Sequence, residues 1–157
     1  MNISYKTANS LQDFEVGRKL FQEYACSLNF DLSFQDFSKE LETIDTQYRK
    51  PRGALILAFS GRVAIGCTGI REWESDIAEL KRMYIQPEYR KYGIGRKLLE
   101  LGIETAQVLK YNKIRLDTLP DMTQAINLYL AFGFYEIPAY RFNPNEGTVY
   151  MEKNIAR

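Results

Sequence analysis

The stretch Arg90-Lys91-Tyr92-Gly93-Ile94-Gly95 decides which fold this sequence predicts. It follows a strand-like apolar run, Leu80–Ile85, and precedes a helical run that begins near Gly95. A strand, a tight glycine turn and a helix N-terminus bring several backbone N–H groups together, because the first turn of a helix has donors without partners. The positive end of the helix dipole adds to their attraction for anions. The stretch therefore predicts a binding site for a phosphate-bearing molecule.

Length and composition favour one soluble, globular domain that spans residues 1–157, with 45% hydrophobic and 26% charged residues. The formal net charge of +1 gives no reason to expect nucleic acid or an anionic membrane surface as a partner. No apolar run approaches the length of a membrane span, and the first residues do not resemble a secretory signal. We expect a cytoplasmic protein.

The chain has no histidine, and this absence excludes several kinds of active site. Histidine-based triads, histidine general bases and nearly every zinc site are removed, so we expect no metal cofactor. Of the two cysteines, Cys67 lies in a run that reads as a buried strand. A small core residue is the favoured interpretation of Cys67, since no histidine is present to activate it as a nucleophile.

Hydrophobic periodicity and turn residues predict a mixed α/β domain without repeats or linkers. The expected helices cover residues 11–28, 34–48, about 95–111 and 122–132. The expected strands cover residues 3–6, 54–59, 63–70, 77–85 and 113–118, followed by a closing antiparallel pair at 134–141 and 148–153. Residues 73–76 are expected to form a polar, acidic connection.

Three blocks of this sequence resemble the GNAT superfamily of acetyl-coenzyme A-dependent N-acetyltransferases. They are Ala78–Pro87, Arg90–Gly95 with the following Leu98-Leu99, and Ala125–Tyr129 with the following Phe132-Gly133-Phe134. Together they cover roughly the C-terminal half of the chain. The resemblance implies the GNAT fold, a central and mostly antiparallel sheet with a splayed strand pair, flanked by about four helices.

Other nucleotide-binding motifs fit the glycine turn less well. The third glycine of a dinucleotide-binding fingerprint would fall at Leu98, and a hairpin rather than a βαβ unit precedes the turn. A Walker loop is excluded because no Gly-Lys-Ser/Thr sequence occurs. Two alternatives to an enzyme stay open at this point, a non-catalytic acyl-coenzyme A sensor or interaction module and a binder of another nucleotide.

The resemblance implies acetyl-CoA as the co-substrate. The backbone N–H groups of the turn would surround its pyrophosphate, and the backbone of residues 83–85 would pair with the pantetheine amides as an added strand does. Basic side chains at the turn would contact the remaining phosphate or form a solvated face. The cofactor-binding residues implied in this way are Met83, Tyr84, Ile85, Arg90, Lys91, Tyr92, Gly93, Ile94, Gly95 and Arg96.

Glu79 is the candidate general base, since its place in Ala-Glu-Leu matches the catalytic glutamate of histone-type GNAT enzymes. Strand alternation places Glu79, Lys81 and Met83 on one face. Glu79 lies roughly 13 Å before Met83 at strand rise, so a base there would work through water or on an amine that reaches towards it. The competing interpretation is an exposed strand glutamate paired with Lys81 or Arg115.

Tyr129 is the candidate general acid, because GNAT enzymes often carry a tyrosine at this helix position to protonate the departing thiolate. The competing interpretation is an aromatic residue that packs beside Phe132. A backbone N–H near Met83 or Tyr84 would stabilise the oxyanion.

The expected acceptor is the primary amine of a small molecule, since no extended acidic groove for a basic peptide is visible in the sequence. Arg71 and Arg82 are candidates to hold a substrate carboxylate, whereas an acidic stretch at 72–76 would attract a cation; either set can also be solvated surface. Four aromatic residues are candidates to line the acceptor cleft or to pack in the core, namely Phe30, Phe34, Phe37 and Tyr140. A homodimer through the edge at 134–140 is a further possibility.

Overall fold

Seven strands form one continuous sheet in the computed structural model, which describes residues 2–28 and 31–157. The strands are β1 (Ile3–Thr7), β2 (Ala54–Ser60), β3 (Val63–Glu74), β4 (Ile77–Ile85), β5 (Lys113–Thr118), β6 (Tyr135–Ile137) and β7 (Val149–Asn154). Their order across the sheet is β1-β2-β3-β4-β5-β7-β6, and only β4 and β5 run parallel to each other. The mixed α/β fold with a mostly antiparallel sheet is confirmed.

Helices cover both faces of this sheet. They are α1 (Leu11–Ser27), α2 (Phe37–Glu42), α3 (Ile44–Gln47), α4 (Ile94–Val108) and α5 (Thr123–Ala131). On one face, Phe14 and Phe21 of α1 pack with Leu55 and Leu57 of β2. On the other face, α4 and α5 share a core cluster with residues of β3, β4 and β5. The apolar stripe of each helix is buried in this way, and the burial provides most of the folding free energy.

The parallel strands β4 and β5 stay together for only three residue pairs. Ile77–Glu79 pair with Lys113–Arg115, and beyond Glu79 the two strands are no longer paired. The edge of β4 that faces β5 therefore has free backbone donors and acceptors from Leu80 onward. This is the predicted splayed strand pair, and it opens a cleft in the middle of the sheet.

A β-bulge at Arg82 changes the side-chain pattern of β4. Arg82 has φ 57°, and the register moves from Lys81 opposite Gly69 to Tyr84 opposite Cys67, so β4 contains one extra residue. As a result Met83 packs with the core on the α4 side, whereas Tyr84 packs with the α1 side. The expectation that Met83 shares a face with Glu79 and Lys81 was wrong, because simple alternation takes no account of a bulge.

The predicted helix at residues 34–48 is divided into a 3₁₀ turn, Ser33–Gln35, and the short helices α2 and α3. Asp36 has the left-handed φ of 56°, which aspartate tolerates better than most residues. Thr43 separates α2 from α3, and its hydroxyl donates to the Lys39 carbonyl at 2.7 Å. These local bonds compete with a continuous helix.

Two strand boundaries also differ from the prediction. β3 continues to Glu74, because Glu72 and Glu74 pair with Ala78 and Ile77, so the expected acidic connection is reduced to a tight turn. β6 ends at Ile137, since Pro138 has no backbone N–H with which to continue the ladder. β6 is nevertheless the last strand of the sheet and pairs with β7 as predicted, while a dimer through this edge stays a prediction.

Candidate active site

The opening between β4 and β5 is a cleft of about 770 Å³, within the range of small-molecule and cofactor sites. Its walls come from the end of α1, the bulged half of β4, the start of α4, the end of β5 and α5. Eight of the ten predicted cofactor-binding residues line it, namely Met83, Tyr84, Ile85, Arg90, Gly93, Ile94, Gly95 and Arg96. Lys91 and Tyr92 lie outside the lining. One cleft therefore collects most of the motif that the sequence singled out.

The glycine turn forms the N-terminus of α4 and leaves its first donors free. Gly93 caps the helix with φ 71°, a conformation that residues with a Cβ rarely adopt, and no side chain caps the helix in its place. The first bond of the helix runs from the Lys97 N–H to the Gly93 carbonyl at 3.1 Å. The N–H groups of residues 94–96 therefore point out of the helix end, where an anion would bind.

Gly95 sets how closely this helix end approaches β4. A Cβ at Gly95 would lie 3.3 Å from the terminal carbon of Ile85, the last residue of β4. Arg90 folds back over the same corner and donates from Nε to the Ile85 carbonyl at 2.8 Å. The small residue at position 95 keeps the helix donors, the Arg90 guanidinium and the free edge of β4 within one short stretch of the cleft.

Tyr129 extends from α5 into the cleft and is almost fully buried. Its ring packs against Phe134, with ring centroids 5.7 Å apart. Burial raises the pKa of the Tyr129 phenol, with further contributions from the nearby Tyr24 and Asp117. The phenol therefore stays protonated at neutral pH and is available as a proton donor inside the cleft. Its role as general acid stays a prediction.

Glu79 is the last residue of β4 that pairs with β5. Its side chain is fully buried and lies outside the cleft lining. Arg71 donates to its Oε1 at 3.2 Å, while Tyr140 donates to Oε2 at 2.9 Å and Arg141 contacts the same oxygen. Burial alone would raise the pKa of Glu79, but the charges of Lys81, Arg141 and Arg71 lower it below its usual value. Glu79 thus joins β3, β4 and the segment after β6, and its role as general base stays a prediction.

The two arginines predicted to hold a substrate carboxylate are both engaged by the protein. Arg71 donates to Glu79 and, from Nη1, to Gln47 at 2.8 Å, and it lies outside the cleft. Arg82 lines the cleft, but Glu40 binds its guanidinium through two bonds of 3.1 and 2.7 Å. Their substrate role stays a prediction.

The candidate aromatic residues differ in their surroundings. Phe37 packs in the core on the α1 side, beneath the Arg82 guanidinium, and Tyr140 is bonded to Glu79. Phe30 lies outside the described residues, and the structure does not describe the side chain of Phe34. Neither Phe37 nor Tyr140 belongs to the cleft lining.

Two charged residues of the cleft were missed as site residues at the sequence level, Lys81 and Asp117. Lys81 is only 4% exposed, and its Nζ donates to Gln35 Oε1 at 2.9 Å. Burial lowers the pKa of Lys81 to about 7, opposed by the charges of Glu79 and Asp117 and assisted by Arg82 and Arg141. The alternation along β5 indicates that Asp117 lies on its polar face, but only the splay of the strands places it in a cleft.

The buried carboxylates make stability sensitive to acid. The pKa of Glu79 and that of Glu40 both lie below the usual 4.5 in the folded state, because the charges of Lys81, Arg141 and Arg71 act on Glu79 and Arg82 binds Glu40. The unfolded state therefore binds more protons below pH 4.5, and the free energy of unfolding is expected to fall as the pH drops from 4.5 through the folded pKa values. Urea unfolding at pH 7, 4.5 and 3 measures this loss. A free energy that stays constant down to pH 3 would contradict it.

The described residues contain neither a candidate metal site nor a candidate membrane span. No cluster of three or more acidic or cysteine side chains in residues 2–28 and 31–157 has the arrangement of a metal site. In the same part of the chain, no helix has both the length and the apolar character required to cross a bilayer.

Comparison with known proteins identifies the family. The model of the Acetyltransferase (GNAT) family matches residues 18–134. An uncharacterized N-acetyltransferase of Schizosaccharomyces pombe is 32% identical over 158 residues, which cover 99% of this chain and 97% of that protein. The crystal structure of a GNAT-family acetyltransferase from Staphylococcus aureus has a TM-score of 0.78 at 23% identity and covers 98% of this chain and 99% of that one.

A Salmonella typhimurium protein whose structure contains its cofactor acetyl-CoA shares the fold with a TM-score of 0.74. Its identity is 14%, with coverage of 100% of this chain and 96% of that one. Fold, glycine turn and family match thus agree, and the chain belongs to the GNAT acetyltransferase family.

Proposed function

We propose that this protein transfers an acetyl group from acetyl-CoA to the primary amine of a small molecule, directly and within a ternary complex. One observation carries the proposal. A single cleft presents the free N–H groups of a glycine turn, the unpaired edge of β4 and the Tyr129 phenol. These are the groups needed to hold a pyrophosphate, to pair with an extended amide-containing arm and to protonate a thiolate.

The cofactor would lie along the cleft from the start of α4 to Tyr129. Its pyrophosphate would accept from the N–H groups of residues 94–96, and its pantetheine amides would pair with the backbone of residues 83–85. Support comes from the Salmonella neighbour, which has the same fold and holds acetyl-CoA. The thioester would then lie near the Tyr129 hydroxyl, with its carbonyl within reach of a backbone N–H at the bulge.

The acceptor would enter from the side of α1 and the 3₁₀ turn, where Gln35 and Lys81 line the cleft. Glu79 stays the predicted general base, but a proton from an acceptor in the cleft would have to reach it through water or another side chain. The sequence likewise predicts that a base at position 79 would work through water.

The proposed cofactor position predicts opposite outcomes for two substitutions in the turn. Gly95→Leu is expected to weaken acetyl-CoA binding by at least about tenfold, because a side chain at 95 presses on Ile85 and enters the space of the pyrophosphate. Lys91→Gly is expected to retain the fold and to change the Kd less than about threefold, since the Lys91 side chain lies outside the cleft lining. Isothermal titration calorimetry with acetyl-CoA measures both. A tenfold loss with Lys91→Gly would instead show that this side chain binds phosphate.

A thiol-release screen tests the function itself. Purified protein is incubated with acetyl-CoA and amino acids, polyamines, aminoglycosides or peptide N-termini, and free coenzyme A is measured with a thiol reagent. Saturable release that depends on an amine supports the proposal, and mass spectrometry identifies the acetylated product. Binding of acetyl-CoA without release across the whole panel would support a non-catalytic acyl-coenzyme A sensor instead.

A further inference from the structure

Lys81 and Asp117 lie on opposite sides of the cleft at equivalent positions of the two splayed strands. The last pair of β4 and β5 joins Glu79 to Arg115, and each of the two residues lies two positions further along its strand. Alternation places both on the face of the sheet to which Glu79 and Arg115 belong. The strands carry a cation and an anion to the point where they separate.

Asp117 has a buried carboxylate oxygen without a partner. Oδ2 is inaccessible to solvent and makes no hydrogen bond within the described residues, although Asp117 belongs to the cleft lining. A buried oxygen in this condition costs free energy, and native structures rarely leave one unsatisfied. Folding alone gives no reason to keep a carboxylate here, whereas a ligand that donates N–H bonds to the Asp117 carboxylate from the cleft would offset the cost.

On the opposite wall of the cleft, Lys81 is a buried cation that has no charged partner among the described residues. Its ammonium bonds only the neutral amide of Gln35, and the described residues place no carboxylate within 4.0 Å of its Nζ. A buried lysine is normally paired with an anion. Lys81 and Asp117 sense each other electrostatically but do not form an ion pair, so the space between them suits a molecule that carries both charges.

We propose that the acceptor is an amino acid, with its ammonium bound to Asp117 and its carboxylate bound to Lys81. This inference rests on the proposed acetyl transfer and names the class of its acceptor. Arg82 lines the same cleft, but Nε and Nη2 of its guanidinium already donate to the two oxygens of Glu40. Lys81 is therefore the cation that is better placed to bind the acceptor carboxylate. The Gln35 amide would help to orient the Lys81 ammonium toward the carboxylate.

In the acetyl transfer, the acceptor ammonium loses two protons and gains the acetyl group. One N–H proton of the ammonium passes to the Asp117 carboxylate, and the nitrogen lone pair forms the bond to the acetyl carbon. The carbon–sulfur bond breaks, and Tyr129 protonates the departing thiolate. The second N–H proton leaves the nitrogen of the new amide and passes through water to the Tyr129 phenolate, which restores the phenol. Asp117 later releases its proton to solvent, and the products are an N-acetyl amino acid and free coenzyme A. For this first proton Asp117, which lines the cleft, replaces Glu79, the base predicted from the sequence.

Amino acids and their analogues that lack the carboxylate test whether the acceptor is an amino acid. Each of a panel of α-, β- and γ-amino acids is compared with its carboxamide and its decarboxylated amine, and kcat/KM for thiol release is measured for all three. The acid form is expected to exceed the other two by about 10- to 100-fold, the value of a hydrogen bond to a charged group. Equal rates for the three forms would overturn the inference and leave the proposed function intact. Release with no amine at all would overturn both.

Variants assign the two roles. Lys81→Met is expected to remove the preference for the acid form, by lowering kcat/KM for the acid to the level of its carboxamide and its decarboxylated amine. Lys81→Arg is expected to restore the preference. Asp117→Asn is expected to lower kcat/KM for all three forms by at least about tenfold. A Lys81→Met variant that lowers all three forms equally would contradict the carboxylate contact.

The Tm distinguishes a binding role of Lys81 and Asp117 from a purely structural role, because the two roles predict opposite changes in Tm on substitution. Lys81→Met and Asp117→Asn are expected to keep or raise the Tm, because each removes a buried group without an ionic partner. Lys113→Met and Asp76→Asn are matched controls outside the cleft and should leave activity unchanged. A lower Tm for both cleft variants, with unchanged acceptor preference, would overturn the inference.

Discussion

Tyr129→Phe is expected to lower kcat by about 10²- to 10⁴-fold, the contribution typical of a positioned general acid or base. The substitution removes only the hydroxyl group, and the ring would keep its packing against Phe134. Acetyl-CoA affinity should stay within about threefold of that of the unaltered protein, because the turn and β4 hold the cofactor in the proposed arrangement. Stopped thiol-release assays give kcat, and calorimetry gives the Kd.

Tyr5→Phe provides the control for this variant. Tyr5 lies on the edge strand β1, outside the cleft lining, and the same loss of a hydroxyl there should leave kcat unchanged. If Tyr129→Phe keeps full activity, a different group or water protonates the thiolate, and the tyrosine has a packing role. If kcat and acetyl-CoA affinity fall together, the hydroxyl contributes to cofactor binding instead.

Glu79→Gln is expected to destabilise the fold by about 3 kcal/mol, because removal of one partner leaves buried charges uncompensated. Arg71 and Arg141 both donate to this carboxylate, and their side chains are only 20% and 12% exposed. A loss of this size corresponds to a fall in Tm of about 6–12 °C for a domain of this length. Thermal unfolding followed by circular dichroism measures it.

Glu72→Gln is the matched control, since Glu72 forms an exposed ion pair with Arg52, which lies in the turn before β2. Such pairs contribute less than about 1 kcal/mol, so its Tm should change little. A Glu79→Gln protein with unchanged Tm and a large loss of kcat would instead support Glu79 as the general base. A pH–rate profile that shifts with Asp117→Asn and not with Glu79→Gln would support Asp117.

Much of the phosphate-binding part of the site could be predicted from local sequence. A glycine turn after an apolar strand and before an amphipathic run has few conformations, and Gly93 adopts the positive φ that such a turn requires. The strand at residues 113–118 was likewise predicted from its local pattern. These features depend on residues close together in the chain, and short-range sterics determine them.

Other features could not be predicted because they depend on pairing between distant segments. The bulge at Arg82 arises from the register of β4 against β3, and it moves Met83 to the opposite face of the sheet. The partners of Glu79 come from β3 and from the segment after β6, so no local pattern around Glu79 indicates that its two oxygens are occupied.

The sequence by itself determined the family, the anion-binding turn and the position of Tyr129, since each is written in a short motif with a local physical cause. Only the tertiary structure decided which charged groups are free. Glu79, Arg71 and Arg82 are satisfied by partners far away in the chain, whereas Lys81 and Asp117 are left facing a cleft. A charge is available for binding or chemistry only when folding supplies no partner for it, and that depends on the separation of β4 and β5 in space.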